Sequence, residues 1–398
     1  MKVKTLYEVF LIVVLSCRII LAADLKYTKI VESQNEDLST LQTGLDIVIE
    51  MKDSLLSEKG ICFITNLKAL YYNFDKIINI ASILNKVNGK VIIISGRKYR
   101  HDGIKFFKVL KTVIDKLDYV FYDSVFSRII INDQKVFLFL PTVDVAYSED
   151  VQLLSKILNF SSVLKKKVYI VDFPNIFSCS KVDMPFIKFS SLDLTIPYIY
   201  GMTTGELAIM INEEYLKSPV DLTVVKMNNY EREMWYDHTG LRWYLDYMGL
   251  PSIEVCMFYI GSKILRSSNV ETDTLGIYHF NLFGAPWINR AELIQRFDRL
   301  GQNGCIMFEN DIEGVGLSLR IKDRRRFNPV KIYATILSLI GNLYPHHVIF
   351  YDWKDLNIPF DNELRVAIET GIDIDIYLKH KENELNRFLS MKNKFTIY

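Results

Sequence analysis

The sequence predicts an α/β fold: a Rossmann-like parallel sheet in the first half, followed by a differently built second half. Three observations predict it. Short continuous apolar runs alternate with amphipathic stretches between residues 60 and 173. Runs apolar at every position suit strands of a sheet covered on both faces. The order strand, helix, strand, helix implies right-handed crossovers and hence parallel strands. Finally, 398 residues can bury a sizeable core, with two domains the default and one large α/β unit the alternative.

Composition narrows the function classes. With 49% hydrophobic and 24% charged residues, disorder, collagen and coiled coil are excluded. Lys and Arg number 48 against 47 Asp and Glu. A nucleic-acid binder usually carries a strongly basic domain or stripe, so none is expected as a partner here. The abundance of Tyr and Phe, together with Ile, Lys and Asn, reads as the coding bias of an AT-rich genome.

At the start, residues 1–23 read as a signal peptide. Lys2 and Lys4 give a positive n-region, residues 9–15 an apolar h-region, and Leu21-Ala22-Ala23 a cleavage end. Glu8 and Arg18 leave the apolar run short for a bilayer span, so no transmembrane segment is expected after signal removal. Export to the periplasm or cell envelope follows. Val14-Leu15-Ser16-Cys17 is a loose lipobox, and a lipid anchor at Cys17 is the second reading. Residues 24–43 read as a polar linker. Four further cysteines, Cys62, Cys179, Cys256 and Cys305, show no Cys-x-x-Cys and no zinc spacing, so neither a functional disulfide nor a metal is expected.

Residues 60–65, 90–95, 136–140 and 168–173 are the predicted strands, with helices over 74–84, 104–117 and 151–163 between them. The loop at 96–103 (GRKYRHDG) lacks both the dinucleotide and the P-loop glycine patterns, and no cofactor is implied. In the second half, Thr203 followed by Glu206 is a capping box opening a helix over 203–215. Residues 221–227 form a strand. The stretch 240–284, rich in aromatics and glycine, looks too irregular for helices. Asn289 caps a helix to residue 300, and Leu317, Leu319 and Ile321 alternate as a half-exposed strand. Pro329 suits the first turn of a helix to about 344, and a charged amphipathic helix runs near 382–392.

Five segments carry a family resemblance: GMTTGELA at 201–208, WYDHTGLRW at 235–243, FNLFGAPWI at 280–288, KDRRRFNPV at 322–330 and NRFLSMKNKFTIY at the end. The chain resembles the NamZ-type exo-β-N-acetylmuramidase family from about Gly44 to Tyr398. The resemblance implies a Rossmann-like domain over 44–195, a C-terminal α/β domain over 196–398 and a substrate cleft between them. Muramyl sugars or peptidoglycan fragments are the implied partners.

The departures concern the cleft. The family's Gly-Pro-Glu-His-Gly, whose glutamate is taken as the catalytic acid, matches Gly96-Arg97-Lys98-Tyr99-Arg100, which places Lys98 at the acid. Its Asp-Arg-Pro-Asn-Pro matches Asp172-Phe173-Pro174-Asn175-Ile176, and its Arg-His matches Ile199-Tyr200. Its Glu-Gly-Thr-Asn matches Arg266-Ser267-Ser268-Asn269. Glycoside hydrolysis needs a carboxylic acid at the leaving oxygen, and an ammonium donates its proton poorly near neutral pH.

Three readings follow. A degenerate member binds muramyl sugars without cleaving them, through Asp172, Asn175, Tyr200, Tyr259 and Asn269, with Lys98 and Arg266 pairing the lactyl carboxylate. An active glycosidase uses relocated acids among Asp102, Asp123, Asp144, Glu149, Glu254, Glu271 and Asp273. A non-catalytic envelope protein reuses the fold for structure or for a partner. Trp243 and Trp287 read as core, His238 as a loop hydrogen-bonder, and the basic runs 165–167 and 324–326 as solvated loops.

Overall fold

The computed structural model describes residues 19–20, 27–31, 40–57, 59–66, 69–70, 73–95, 117–121, 135–140, 149–189, 192–243, 249–301, 304–311, 316–356 and 358–398. Lys98, Asp102, Asp123, Asp144 and the helix expected over 104–117 lie outside them, save Leu117. Along the chain come β1 (Ile19–Ile20), β2 (Thr28–Val31), α1 (Gly44–Glu50), α2 (Lys52–Leu55), β3 (Ile61–Asn66) and α3 (Phe74–Lys86). Next are β4 (Lys90–Ser95), β5 (Leu117–Phe121), β6 (Lys135–Phe139), α4 (Glu149–Val163) and β7 (Lys167–Val171). A hairpin of β8 (Asp183–Phe189) and β9 (Leu194–Ile199) precedes α5 (Thr204–Met210) and β10 (Asp221–Val225).

The large sheet has the order β1-β2-β10-β7-β6-β3-β4-β5, parallel throughout except for β1. Period-two alternation explains why both its faces are apolar. Phe137 and Phe139 point to the side covered by α1 and α3, while Val136, Leu138 and Leu140 point to the side covered by α4 and α5. Phe137 stacks on Tyr169 of the adjacent strand at 4.3 Å. This is the doubly wound α/β arrangement the apolar runs predict.

The sheet extends beyond the stretch assigned to it by sequence. It takes β2 from the expected linker and β10 from past residue 195. A four-residue strand such as β2 carries too short a pattern to be read, and β10 returns to the sheet only after the hairpin and α5. β1 falls within residues 1–23 and pairs antiparallel with β2.

The second half supplies α6 (Ile253–Leu265), β11 (Glu271–Thr272), β12 (Leu282–Gly284), α7 (Arg290–Arg299), β13 (Cys305–Glu309), β14 (Leu317–Ile321) and α8 (Pro329–Leu343). It closes with α9 (Asn362–Glu369), α10 (Ile374–His380) and α11 (Glu382–Asn393). β11, β12, β14 and β13 form an antiparallel sheet. The caps fall where the residues place them. Asn289 Oδ1 accepts from Glu292 N at 3.1 Å, and Asn328 Oδ1 accepts from Lys331 N at 2.9 Å, just ahead of Pro329.

The expectation for 240–284 needs correction, because α6 lies inside it. Ser252 caps that helix through Val255 N, and nearly every residue from Ile253 to Leu265 is buried. A helix buried all round shows no amphipathic period, so pattern reading passes over it. Gly261 is the reason α6 lies so close to α8. A Cβ there would fall 2.1 Å from Tyr333 Cδ2. Gly261→Ala is expected to cost about 1–3 kcal/mol through overpacking. Urea unfolding of the variant checks it, and an unchanged midpoint would contradict this close approach.

Candidate functional site

The C-terminal rim of the parallel sheet is where open α/β folds place their sites. At the end of β7 stands Asp172, fully buried. Its Oδ1 accepts from Phe173 N at 2.9 Å and Gly205 N at 2.8 Å. Its Oδ2 accepts from Thr203 Oγ1 at 2.8 Å and from the Tyr398 hydroxyl at 2.7 Å. The glycine of the GMTTGELA string is what admits this carboxylate. A Cβ on Gly205 would lie 2.8 Å from Asp172 Oδ2 and 2.7 Å from Val224 Cγ1.

The capping box expected at Thr203 is present. Thr203 Oγ1 accepts from Glu206 N at 3.2 Å, while Glu206 Oε2 accepts from Thr203 N at 3.1 Å. Glu206, also fully buried, does more than cap. Its Oε1 binds the Arg232 guanidinium and accepts from Ile397 N at 3.0 Å. Arg232 donates onward to Gly201 O at 3.1 Å, and the Lys392 ammonium donates to Cys179 O at 2.9 Å. Two carboxylates and two cations thus share one buried cluster.

Burial dominates its electrostatics. It lifts the Asp172 carboxyl from 3.8 to about 6, against the bonds from Gly205, Tyr398 and Thr203 and with help from the Glu206 charge. Burial also raises Glu206, which the Arg232 charge opposes. Lys392 is lowered by burial and by Arg232 beside it. The Cys179 thiol, 3.2 Å from the Tyr230 hydroxyl, is pushed up to about 12 and is not a nucleophile.

The sequence-predicted site residues fall into two groups. Asp172, Asn175 and Tyr200 converge at the end of β7 and the entry to α5. Asn175 Nδ2 donates to Met202 O at 2.9 Å and its Oδ1 accepts from Phe177 N at 3.1 Å. Tyr200, half-buried, packs against the apolar core on the face of the sheet opposite α1 and α3. Tyr259, Arg266 and Asn269 lie on or just after α6. The Tyr259 ring meets Phe280 edge-on at 4.9 Å and lies 4.3 Å beneath the Lys263 ammonium. Arg266 caps α6 and is exposed. Asn269 ties residues 347–349 down, donating to His347 O at 2.9 Å and accepting from Ile349 N at 2.8 Å. Both polar ends of Asn175 and Asn269, and both oxygens of Asp172, are therefore engaged within the chain.

Sequence reading missed the partners of this cluster. Arg232 and Lys392 carry no local pattern, though Lys392 and Tyr398 lie in the resemblance string at the end. A second cluster joins WYDHTG to KDRRRF. The Arg324 guanidinium lies 4.4 Å over the Trp235 ring, 2.6 Å from Asp237 Oδ2 and 2.7 Å from His238 Nε2. Arg324 is thus a strap between two segments rather than a solvated loop residue, and His238 is the loop hydrogen-bonder expected. Trp243 donates to Leu250 O at 2.7 Å, and Trp287 packs against Tyr344 and His347. Of the relocated acids, Glu254 lies 3.9 Å from Arg324, and Asp273 accepts from the N–H groups of Ile277, Tyr278 and Phe280. Glu271 lies exposed in β11, and Glu149 opens α4.

A doubly wound sheet joined to a smaller antiparallel α/β unit defines the class of protein. Two crystal structures of DUF1343 family proteins from Bacteroides fragilis share this fold. One superposes with a TM-score of 0.70 at 20% identity, over 90% of this chain and 99% of that one. The other gives 0.62 at 19% identity, with the same coverage. Residues 150–254 match the N-terminal, and 275–398 the C-terminal, family model of exo-β-N-acetylmuramidase NamZ. The chain belongs to the NamZ family. The peptidoglycan β-N-acetylmuramidase NamZ of Bacillus subtilis strain 168 is 28% identical over 214 residues, which is 51% of each chain. The match thus spans about half the length of that relative. The two family models leave residues 255–274 between them, which include most of α6.

Proposed function

We propose that this chain is exported to the periplasm or cell envelope and binds the non-reducing-end N-acetylmuramic acid of peptidoglycan fragments, with hydrolysis weakened or lost. Membership of the family supports the sugar. The observation that carries the loss of hydrolysis is the state of the rim carboxylates. Asp172 and Glu206 are engaged as described, and Asp150 at the start of α4 accepts from Asn66 Nδ2 at 3.3 Å. Among the described residues of that rim, each of these acids is held by the chain rather than presented to a leaving oxygen. The placement of Lys98 at the family's glutamate points the same way. Exposed Arg266, with Lys98, suits the lactyl carboxylate of muramic acid.

The test is release of free N-acetylmuramic acid from a synthetic muramyl glycoside, with binding measured in parallel by calorimetry. Binding is expected, with turnover about 10²–10⁴-fold below that of the Bacillus relative, the usual worth of a general acid. Lys98→Glu is expected to raise turnover. Wild-type turnover matching the relative and abolished by Glu254→Gln or Asp273→Asn would overturn the weakened reading in favour of relocated acids. Neither binding nor turnover would overturn the muramyl reading altogether.

A further inference from the structure

The loop between β11 and β12, residues 273–281, turns apolar side chains outward. Leu275 and Ile277 are 81% and 70% exposed, and Tyr278 is exposed beside them. The backbone beneath them is held. The Asp273 carboxylate accepts from Ile277 N at 3.0 Å, Tyr278 N at 2.7 Å and Phe280 N at 2.9 Å. Asn281 ties the base of the loop to β14, donating to Leu319 O at 2.6 Å and accepting from Leu319 N at 2.9 Å. His279 and Phe280 keep positive φ, 56° and 60°, which residues bearing a Cβ seldom adopt. The Phe280 ring packs inward on Tyr259, so it anchors the loop while its neighbours face solvent. Exposed apolar side chains on an ordered backbone mark contact with a partner or a membrane.

Charge decides between the two. No acid occurs between Thr274 and Asn281, and the Asp273 carboxylate is satisfied by the loop's own N–H groups. The loop stands at the end of the antiparallel sheet where β14 finishes and β13 begins. At that end Arg299, Lys322 and Arg325 are exposed, and so is the apolar Leu300 between α7 and β13. Asp323 is engaged there by Arg325 N and the Arg326 guanidinium, and Asp298 is an exposed acid among the bases. Apolar side chains flanked by bases suit a bilayer with anionic headgroups, each base near the surface adding to the attraction. Tyrosine is at home at the headgroup level. A second protein suits the loop less, since a tip of a few side chains falls short of the roughly 800 Å² per partner that stable interfaces bury.

We propose that the β11–β12 loop docks this protein on an anionic membrane surface. Leu275 and Ile277 enter the boundary between headgroups and acyl chains, Tyr278 lies at the headgroup level, and Arg299, Lys322 and Arg325 meet lipid phosphates. This goes beyond the muramyl-binding reading and does not depend on it.

The test places a fluorophore in the loop itself, with I277W in the full chain, and adds phosphatidylglycerol vesicles with bromine-labelled acyl chains. V163W, at the equally exposed end of α4, is the comparison. Emission of the I277W variant above the wild-type background is expected to be quenched, and that of V163W is not. L275S added to I277W is expected to raise the lipid concentration at half-quenching about tenfold. K322Q in the same background is expected to raise it about fivefold, and neutral phosphatidylcholine vesicles are expected to quench little. No quenching of I277W, or quenching as strong on neutral vesicles, overturns the proposal. Self-association of the wild-type chain without lipid that L275S abolishes would give the loop to a second copy and overturn it as well. So would loss of muramyl-glycoside binding in L275S with quenching unchanged, which would assign the loop to the sugar site.

Discussion

Glu206→Ala is expected to lower the unfolding free energy by about 3–5 kcal/mol, the cost of leaving a buried charge without its partner. The Arg232 side chain is mostly buried, and its remaining acceptors, Gly201 O and Cys179 O, are neutral carbonyls. Removing the carboxylate also orphans Thr203 N and Ile397 N and dismantles the capping box on α5. The Lys392 ammonium, already depressed by burial and by Arg232, would face a second cation with less to offset it. Glu206→Gln keeps one acceptor and the side-chain volume, so its cost is expected to be smaller. The pairing is separable from the packing by a double-mutant cycle in urea. Arg232→Met added to Glu206→Ala is expected to recover part of the loss, because two apolar side chains are tolerated where one lone charge is not. A loss below about 1 kcal/mol in Glu206→Ala would place the pair among exposed salt bridges and refute the buried-cluster account.

Local signals explain what was legible in the sequence. The helix starts at Thr203, Asn289 and Pro329 were readable because a cap and its helix lie within four residues of each other. The strands at 60–65, 90–95, 136–140 and 168–173 were readable because burial on both faces writes an unbroken apolar run. Where burial is complete around a helix, as in α6, the same physics erases the period that would reveal it. The two-residue β11 is too short to carry a pattern. By contrast, β8 (DMPFIKF) and β9 (LTIPYI) were not anticipated although they are as long as the strands that were read, because each holds a proline, which demotes a run as a strand. The candidate site was half legible. Asp172 and Asn175 were singled out for the site and Glu206 only as a helix cap, and the partners of Asp172 and Glu206 lie far along the chain. Arg232 is 26 residues from Glu206, and Tyr398 is 226 residues from Asp172. No local pattern encodes such a pairing; only folding brings it together. The string at the end of the chain holds Tyr398, while Asp172 lies in the departing stretch 172–176, and neither states that the two touch.

The stability of the chain is expected to respond to pH through Asp172 in a direction opposite to that of an ordinary paired carboxylate. Its folded pKa, about 6, lies above the unfolded value of 3.8. The folded state therefore holds the proton more tightly. The stability this lends is fully present below the unfolded value and is lost as pH rises through the folded one. A shift of this size is worth about 3 kcal/mol in full, of which about four-fifths falls between pH 4 and 7. Asp172→Asn isolates the effect, because the amide mimics the neutral acid at every pH. Its oxygen can keep the two backbone donors, Phe173 N and Gly205 N, that now share Oδ1. Its NH₂ would face the hydroxyls of Thr203 and Tyr398. Thr203 Oγ1 already accepts from Glu206 N, and the Tyr398 hydroxyl already accepts from Met227 N. Both oxygens have lone pairs left for the amide, but their own hydrogens would then lack an acceptor. The variant is thus expected to be less stable than wild type at pH 4. As pH rises to 7 and the wild-type carboxyl ionises, that gap is expected to shrink by about 2–3 kcal/mol. Urea unfolding of both proteins at pH 4, 5, 6 and 7 reads the difference directly, and the carboxylates common to both proteins largely cancel. A gap that stays constant across the range would mean that Asp172 ionises in the folded chain as readily as in the unfolded one. Arg232 and Lys392, rather than a proton, would then be what neutralises it.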